Sequence, residues 1–186
     1  MTIPTLETPR LTLRAFAPDD WDAFNETISD AEAMQYMHFS SWNEEQRREW
    51  FKSCLATGQA FSLEGKIWAI VLKESNELIG YFGIGTSTDP ENAYDINFGY
   101  ALARQHWNQG YMTELLRAVF AHEFDSLHVP QLSANCQVPN VGSARAMEKA
   151  GMHRYKTESG TDIEGNWAEN HHYLITRDEW DSQKQD

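Results

Sequence analysis

Gly110 and Thr113 sit where the sequence changes its period. Ile96, Phe98, Tyr100 and Leu102 alternate, which reads as a strand, whereas Leu116, Val119, Phe120 and Phe124 recur at helical spacing. A short polar loop ending in Gly110 separates them, so residues 96–126 read as strand, loop and helix N-terminus. Such a corner suits an anion, because first-turn amides have no partner within the helix and the helix dipole favours negative charge. At Gly110 the missing Cβ lets a bulky polyanion approach the main chain. Thr113 adds a hydroxyl donor in the first turn. These residue types support a cradle for phosphate or pyrophosphate. The same features also describe a plain strand–helix corner that uses glycine for its turn, and such corners are common.

The elements that must position this corner follow from the rest of the chain. Residues 10–14 alternate as a first strand, and Pro18, Asp19 and Asp20 open a helix with Trp21, Phe24 and Ile28 inward. A second short helix is expected over about 31–38. A third runs from the cap residue Asn43 to about Thr57, with Trp50, Phe51, Cys54 and Leu55 inward. Residues 68–72 and 78–84 form an apolar hairpin around the polar turn 73–77. The strand at about 93–102 then leads into the cradle and its helix. A strand at about 131–138 precedes a helix that Asn140 caps, that Ala146, Met147 and Ala150 line, and that Gly151 ends. Runs at about 152–158 and 167–175 meet at a turn containing Gly160 and Gly165. Thr176 to Glu179 is a capping box for a last helix. The order is β–α–α–α–β–β–β–α–β–α–β–β, a mixed α/β chain with a largely antiparallel, seven-stranded sheet flanked by helices.

The chain has 186 residues, 41% hydrophobic and 23% charged, which suits one domain over 1–186. No apolar run approaches a bilayer span, and the N-terminus lacks a basic-then-apolar signal. Cys54 and Cys136 lie far apart and read as buried thiols of a reducing compartment, so a cytoplasmic location is expected. The net charge of −13 argues against nucleic-acid backbones and anionic membranes. It also requires an anionic ligand to be held by local donors, and it favours a cationic second substrate.

Other chemistries find no support. Gly83-Ile84-Gly85 lacks the third glycine and following helix of a dinucleotide fingerprint. No P-loop and no nucleophile elbow is present. His122 and His128 have the wrong spacing for a zinc helix, and His171 and His172, adjacent on a strand, point to opposite faces. No metal is expected.

TrpAsnGlnGlyTyrMetThrGluLeu (107–115) resembles the acetyl-CoA loop of the GNAT N-acetyltransferases, and more narrowly the branch typified by RimJ and RimL, the ribosomal-protein N-terminal acetyltransferases. Trp107, Gly110, Tyr111, Thr113 and Glu114 match that branch. Asn108 replaces a frequent glycine, and Met112 replaces a small residue. ThrProArgLeuThrLeuArg (8–14) resembles the opening of the branch. Asn140, Ser143, Glu148, Lys149 and Gly151 match a second motif, with Met152 in place of phenylalanine. The resemblance spans about residues 8–175 and implies the GNAT fold.

It also implies acetyl transfer from acetyl-CoA to a primary amine by direct attack, with no covalent acyl-enzyme. The loop Asn108, Gln109, Gly110, Tyr111, Met112 and Thr113 would hold the pyrophosphate, with Asn140 and Ser143 as further cofactor contacts. Tyr100, Ala101 and Leu102 would pair with the pantetheine amides. A backbone amide near Phe98–Tyr100 would face the thioester oxygen, where charge develops. The tyrosine acid of many relatives is replaced here by Met147, which leaves Ser143 as the candidate acid. Asn97 stands where many relatives have glutamate. It can orient a water or the amine, while Asp95 can act as a water-relayed base. Ser143 reads equally as a plain first-turn residue, and Asp95 as a solvated edge residue. Glu158, Asp162, Glu164 and Glu169 cluster late, either flanking the acceptor or as solvated turns.

The acceptor side offers Trp21, Phe24, Tyr36, Met37 and Trp42 among Asp19, Asp20, Asp22, Glu26, Asp30 and Glu32. One reading is an aromatic and acidic mouth for a cationic peptide N-terminus or a polyamine. The other is an amphipathic helix pair with its acids in water. Two function classes follow: an acetyltransferase, or an acyl-CoA-binding sensor or scaffold that has lost its proton-handling residues. A monomer or a homodimer paired through a sheet edge fits either.

Overall fold

The computed structural model describes residues 3–37, 42–57, 63–87, 96–161 and 167–184. The chain divides into two units, Met1–Gln109 and Gly110–Asp186.

In the first unit, β1 (Leu6–Glu7), β2 (Leu11–Arg14), β3 (Leu63–Leu72), β4 (Leu78–Ser87) and β5 (Ile96–Leu102) lie side by side in chain order, each antiparallel to the next. α1 (Trp21–Ser29) and α2 (Glu44–Thr57) follow β2. Strand alternation sorts the side chains onto two faces. Ile67, Ala69 and Val71 of β3, Tyr81 of β4 and Ala101 of β5 share one core cluster with Phe24 and Ile28 of α1 and Trp50, Phe51 and Cys54 of α2. Its rings meet edge to face or tilted, as at Phe16–Phe24 (5.4 Å) and Phe24–Trp50 (5.2 Å). On the other face Trp68, Phe82 and Phe98 are buried, and Phe82 stacks on Phe98 at 5.5 Å. The first helix is preceded by a 3-10 turn, Pro18–Asp20. There Asp20 is buried and takes a two-pronged ion pair from Arg14 (2.7 and 2.8 Å) together with the Ala17 N–H.

Three expectations change. The described residues form eight strands, not seven. The extra one, Leu6–Glu7, is too short to carry a period and exists because Thr8 closes a tight turn, its Oγ accepting from the Leu11 N–H at 2.8 Å. Residues 31–37 form successive turns rather than a helix. Asp30 takes the N–H groups of Glu32 and Ala33 on its carboxylate, which diverts them from helical bonding. Residue 38 lies outside the described residues. Leu55, expected inward, is 37% exposed.

In the second unit, α3 (Tyr111–Ala121) continues into a π-helical turn, His122–Ser126. β6 (Gln131–Gln137), α4 (Val141–Lys149), β7 (His153–Thr161), β8 (Trp167–Thr176) and α5 (Arg177–Gln183) follow. β8 pairs antiparallel with both β6 and β7. The expected stripe Leu116, Val119, Phe120 and Phe124 is fully buried, with Phe124 stacked on Trp180 at 5.8 Å. α4 ends as expected at Gly151: the Met152 N–H donates to the Met147 carbonyl and the Gly151 N–H to that of Glu148. The Thr176–Glu179 capping box forms in both directions.

Candidate active site

In the first unit β5 ends at Leu102, and a single 3-10 turn, Arg104–His106, leads into the loop. Four side chains pin this stretch. The Trp107 indole donates to the Leu102 carbonyl at 2.8 Å, and Arg10 donates to the Gln109 carbonyl at 3.0 Å. Arg104 pairs with Asp30 at 2.6 Å and with Glu32. His106 Nε2 and the Glu77 carboxylate stand 3.3 Å apart. Asn108 takes a left-handed φ of 59°, and both Asn108 and Gln109 are exposed.

In the second unit α3 begins at Gly110, which has φ 79° and no side-chain cap. A non-glycine residue rarely adopts that torsion. The first helical bond runs from the Glu114 N–H to the Gly110 carbonyl at 3.1 Å, so the amides of 111–113 precede the helical ladder. Met112 is buried, and Gly110 is exposed. Tyr111 and Thr113 are half-buried.

At the start of α4 the Asn140 Oδ1 accepts from the Ser143 N–H at 3.2 Å. Asn140 is therefore a working helix cap. The Ser143 hydroxyl hydrogen-bonds to Cys136, whose thiol is pushed up to about 11 chiefly by burial, with the serine partly opposing that rise. Met147 is core, as its type requires. The Tyr173 hydroxyl donates to Glu148 at 3.1 Å, and burial followed by that carboxylate pushes the phenol up to about 12. Sequence reasoning did not single out Tyr173, which reaches Glu148 across 25 residues, or the Cys136–Ser143 contact, whose residues are close in sequence but lie on different elements with no shared period.

On β5, Asn97 is half-buried and lies opposite Gly85, on the same face as Gly99 and Ala101. Tyr100 is half-buried and stacks near Phe82 at 6.4 Å. The Leu102 carbonyl, a candidate pantetheine partner, is the one that accepts from Trp107. Asp95, Asp162 and Glu164 lie outside the described residues. Glu158 pairs with Lys156, which holds its carboxyl below the usual range, and Glu169 is exposed on β8. Among the described residues no group of three or more His, Cys, Asp and Glu is placed to hold a metal.

The acceptor-side residues divide. Phe24 is core, and Trp21 packs against that core with the Arg48 guanidinium 4.2 Å from its ring centre. Asp20 belongs to Arg14, and Asp30 and Glu32 to Arg104. Asp19, Asp22 and Glu26 are exposed. Of the nominal mouth, the buried aromatic part therefore serves to hold α1 on the sheet.

This is an α/β chain with a pinned main-chain loop at an uncapped helix start. The family described as acetyltransferase (GNAT) domain matches residues 10–153. The chain belongs to the GNAT acetyltransferases. It is 29% identical over 182 residues to the uncharacterized N-acetyltransferase YnaD of Bacillus subtilis (strain 168), covering 94% of this chain and 98% of that one. A GNAT-family acetyltransferase structure from Bacillus anthracis superposes with a TM-score of 0.80 at 24% identity, over 94% of this chain and 99% of that one. Spermidine N-acetyltransferase from Vibrio cholerae, solved with CoA and spermine, superposes with a TM-score of 0.72 at 16% identity, over 91% and 97% of the two chains. The fold is the GNAT fold, and the chain is an N-acetyltransferase.

Proposed function

We propose that this N-acetyltransferase moves the acetyl group of acetyl-CoA directly onto a primary amine, with the first turn of α3 gripping the pyrophosphate. The observation that carries this reading is the start of α3 at Gly110. The cap position offers no side chain of its own to the first-turn amides, and Met112 is buried. Asn108, Gln109, Tyr111 and Thr113 complete the cradle. Tyr100 and Ala101 offer main-chain groups to the pantetheine arm. The family match runs through both units, which supports one domain over the whole chain.

The amine nitrogen bonds to the acetyl carbonyl carbon, the carbon–sulfur bond breaks, and the sulfur leaves as a thiolate that takes up a proton. The amine sheds one proton. A main-chain N–H near Gly99 stabilises the developing oxyanion. Asn97 orients the amine or a water, and water relays the proton to Asp95 or to bulk. Ser143 is the group offered to the departing sulfur. Cys136 and Asn140 act through it, one by holding its hydroxyl and the other by fixing its backbone. Neither buried thiol has the thiolate character of a nucleophile, since burial pushes Cys54 up to about 12 and Cys136 to about 11.

The acceptor is an amine of the small or peptide-terminal kind. The net charge of −13 supports a cationic one, as does a neighbour that acts on spermidine. The motifs at 107–115 and 140–151 keep a RimJ/RimL-like peptide N-terminus as the second reading. Calorimetric titration with CoA, followed by thiol release from acetyl-CoA over a panel of amines, tests the proposal. Binding with no transfer to any amine overturns the enzyme assignment in favour of a sensor. No heat with CoA overturns the cradle.

A further inference from the structure

We propose that the free edge of β7 pairs with the same edge of a second copy of this chain, antiparallel about a two-fold axis at Thr157. This goes beyond the acetyltransferase reading and does not depend on it.

β7 pairs with β8 on one side, and among the described residues no strand lies on its other side. Residues 153–159 are all exposed. A long bare edge presents main-chain donors and acceptors to any passing strand, and chains guard such edges with charges and bulges. Both guards are present. The register slips between Arg154 and Lys156, and Lys156 and Glu158 carry charge. Other side chains of the strand are drawn back onto β8 and leave the edge uncovered: the Thr157 hydroxyl lies 2.9 Å from His171, and Arg154 lies 3.0 Å from the same ring.

The guards exclude most strands but admit this one. Lys156 and Glu158 are two residues apart, so both stand on one face, where they already pair at 2.7 Å. His172 of β8 stands behind, 3.7 Å from Glu158. With a second β7 laid alongside and Thr157 opposite Thr157, Lys156 of each copy faces Glu158 of the other. Together with the two pairs inside the strands, this closes a ring of four alternating charges. Opposed residues of an antiparallel pair share a face, so the axis must pass through a residue. Moving it by one sets Lys156 against Lys156 or Glu158 against Glu158, and like charges directly opposite are destabilising. The pattern therefore selects one register and one partner, itself, as a two-fold interface requires. Tyr155, 52% exposed at the bulge, comes to lie near Ser159 of the other copy, which covers part of its ring. Residues 153–160 hold two cations and one acid in a chain of net charge −13, so two copies meet here with less repulsion than that charge imposes.

Sedimentation equilibrium at pH 8 tests the pairing. A short ladder makes a small interface, so wild type is expected to dimerise with a Kd of about 10–100 µM. Lys156→Glu and Glu158→Lys each place like charges opposite one another twice, and each alone should raise that Kd at least about tenfold. Mixed in equal amounts they become complementary, and a one-to-one dimer should form with a Kd within about threefold of wild type. Circular dichroism matching wild type shows that each variant is folded. Were a reversal to unfold the chain, Lys156→Gln and Glu158→Gln would carry the test, each weakening self-association about threefold. A wild type that stays monomeric up to about 1 mM, well above the expected Kd, overturns the proposal. So does a dimer that the reversals leave unchanged, which assigns association to another face. Reversals that abolish the dimer but fail to restore it on mixing overturn the register at Thr157.

Discussion

Two helices of the second unit begin in opposite ways. α4 opens on Asn140, whose side chain takes the Ser143 amide, and so its first turn is satisfied from within. α3 opens on Gly110, which has no side chain and a left-handed torsion. α5 follows the α4 pattern with a two-way capping box. A glycine at the cap position costs only about a few tenths of a kcal/mol against Asn or Asp, so α3 gives up little stability by opening without a side-chain cap. On the proposed reading, a helix start sealed by its own cap is architecture, and the one opened on a bare glycine is kept for an external acceptor of hydrogen bonds.

Sealing α3 is the most severe way to break this contrast. Gly110→Asp puts a side chain on a left-handed torsion (φ 79°) and adds negative charge at the proposed pyrophosphate site. CoA affinity should fall about 100-fold or more, close to 2.8 kcal/mol, as read by calorimetry, with the circular dichroism of the folded chain retained. Unsealing α4 is the converse. Asn140→Ala should cost about 1 kcal/mol of stability in a urea titration and change the Kd for CoA by less than about threefold. A large loss of CoA affinity would show that Asn140 touches the coenzyme itself.

Acid sharpens the comparison further. Burial tends to raise the Glu179 carboxyl, but hydrogen bonds from the Thr176 amide and hydroxyl and the nearby His153 outweigh it, holding it below its ordinary 4.5. A depressed carboxyl contributes stability that is full above the ordinary value and is lost as pH falls through the lower, folded one. Protection factors for amide exchange at the start of α5 should therefore fall below about pH 4.5, before those of α4, whose cap does not titrate. The smallest effect concerns thiols. Cys54 and Cys136, both buried and raised, should react with an aromatic disulfide reagent at under about one-tenth of their unfolded rate.

Much of this was readable from local chemistry. The Asn140 cap, the Gly151 stop, the Thr176 capping box and the α3 stripe each involve residues three to five apart, so a short window contains the whole interaction. The hairpin at 73–77 was legible for the same reason. What stayed hidden joins distant segments. Arg10 reaches Gln109, and Arg104 reaches Asp30 and Glu32, across separations that no periodicity encodes. The Asp30 carboxylate also explains why 31–37 turns instead of coiling. Trp21 and Phe24 looked like a ligand mouth because composition cannot tell an aromatic that faces a partner from one that faces its own core.

On the proposed reading, recognition is built from peptide groups, and that bears on how freely this chain can vary. A side-chain grip is lost when its residue changes, whereas a grip of main-chain amides persists as long as the path of the backbone does. The points under constraint are the torsion at Gly110 and the anchors at Arg10, Arg104 and Trp107 that hold the curve.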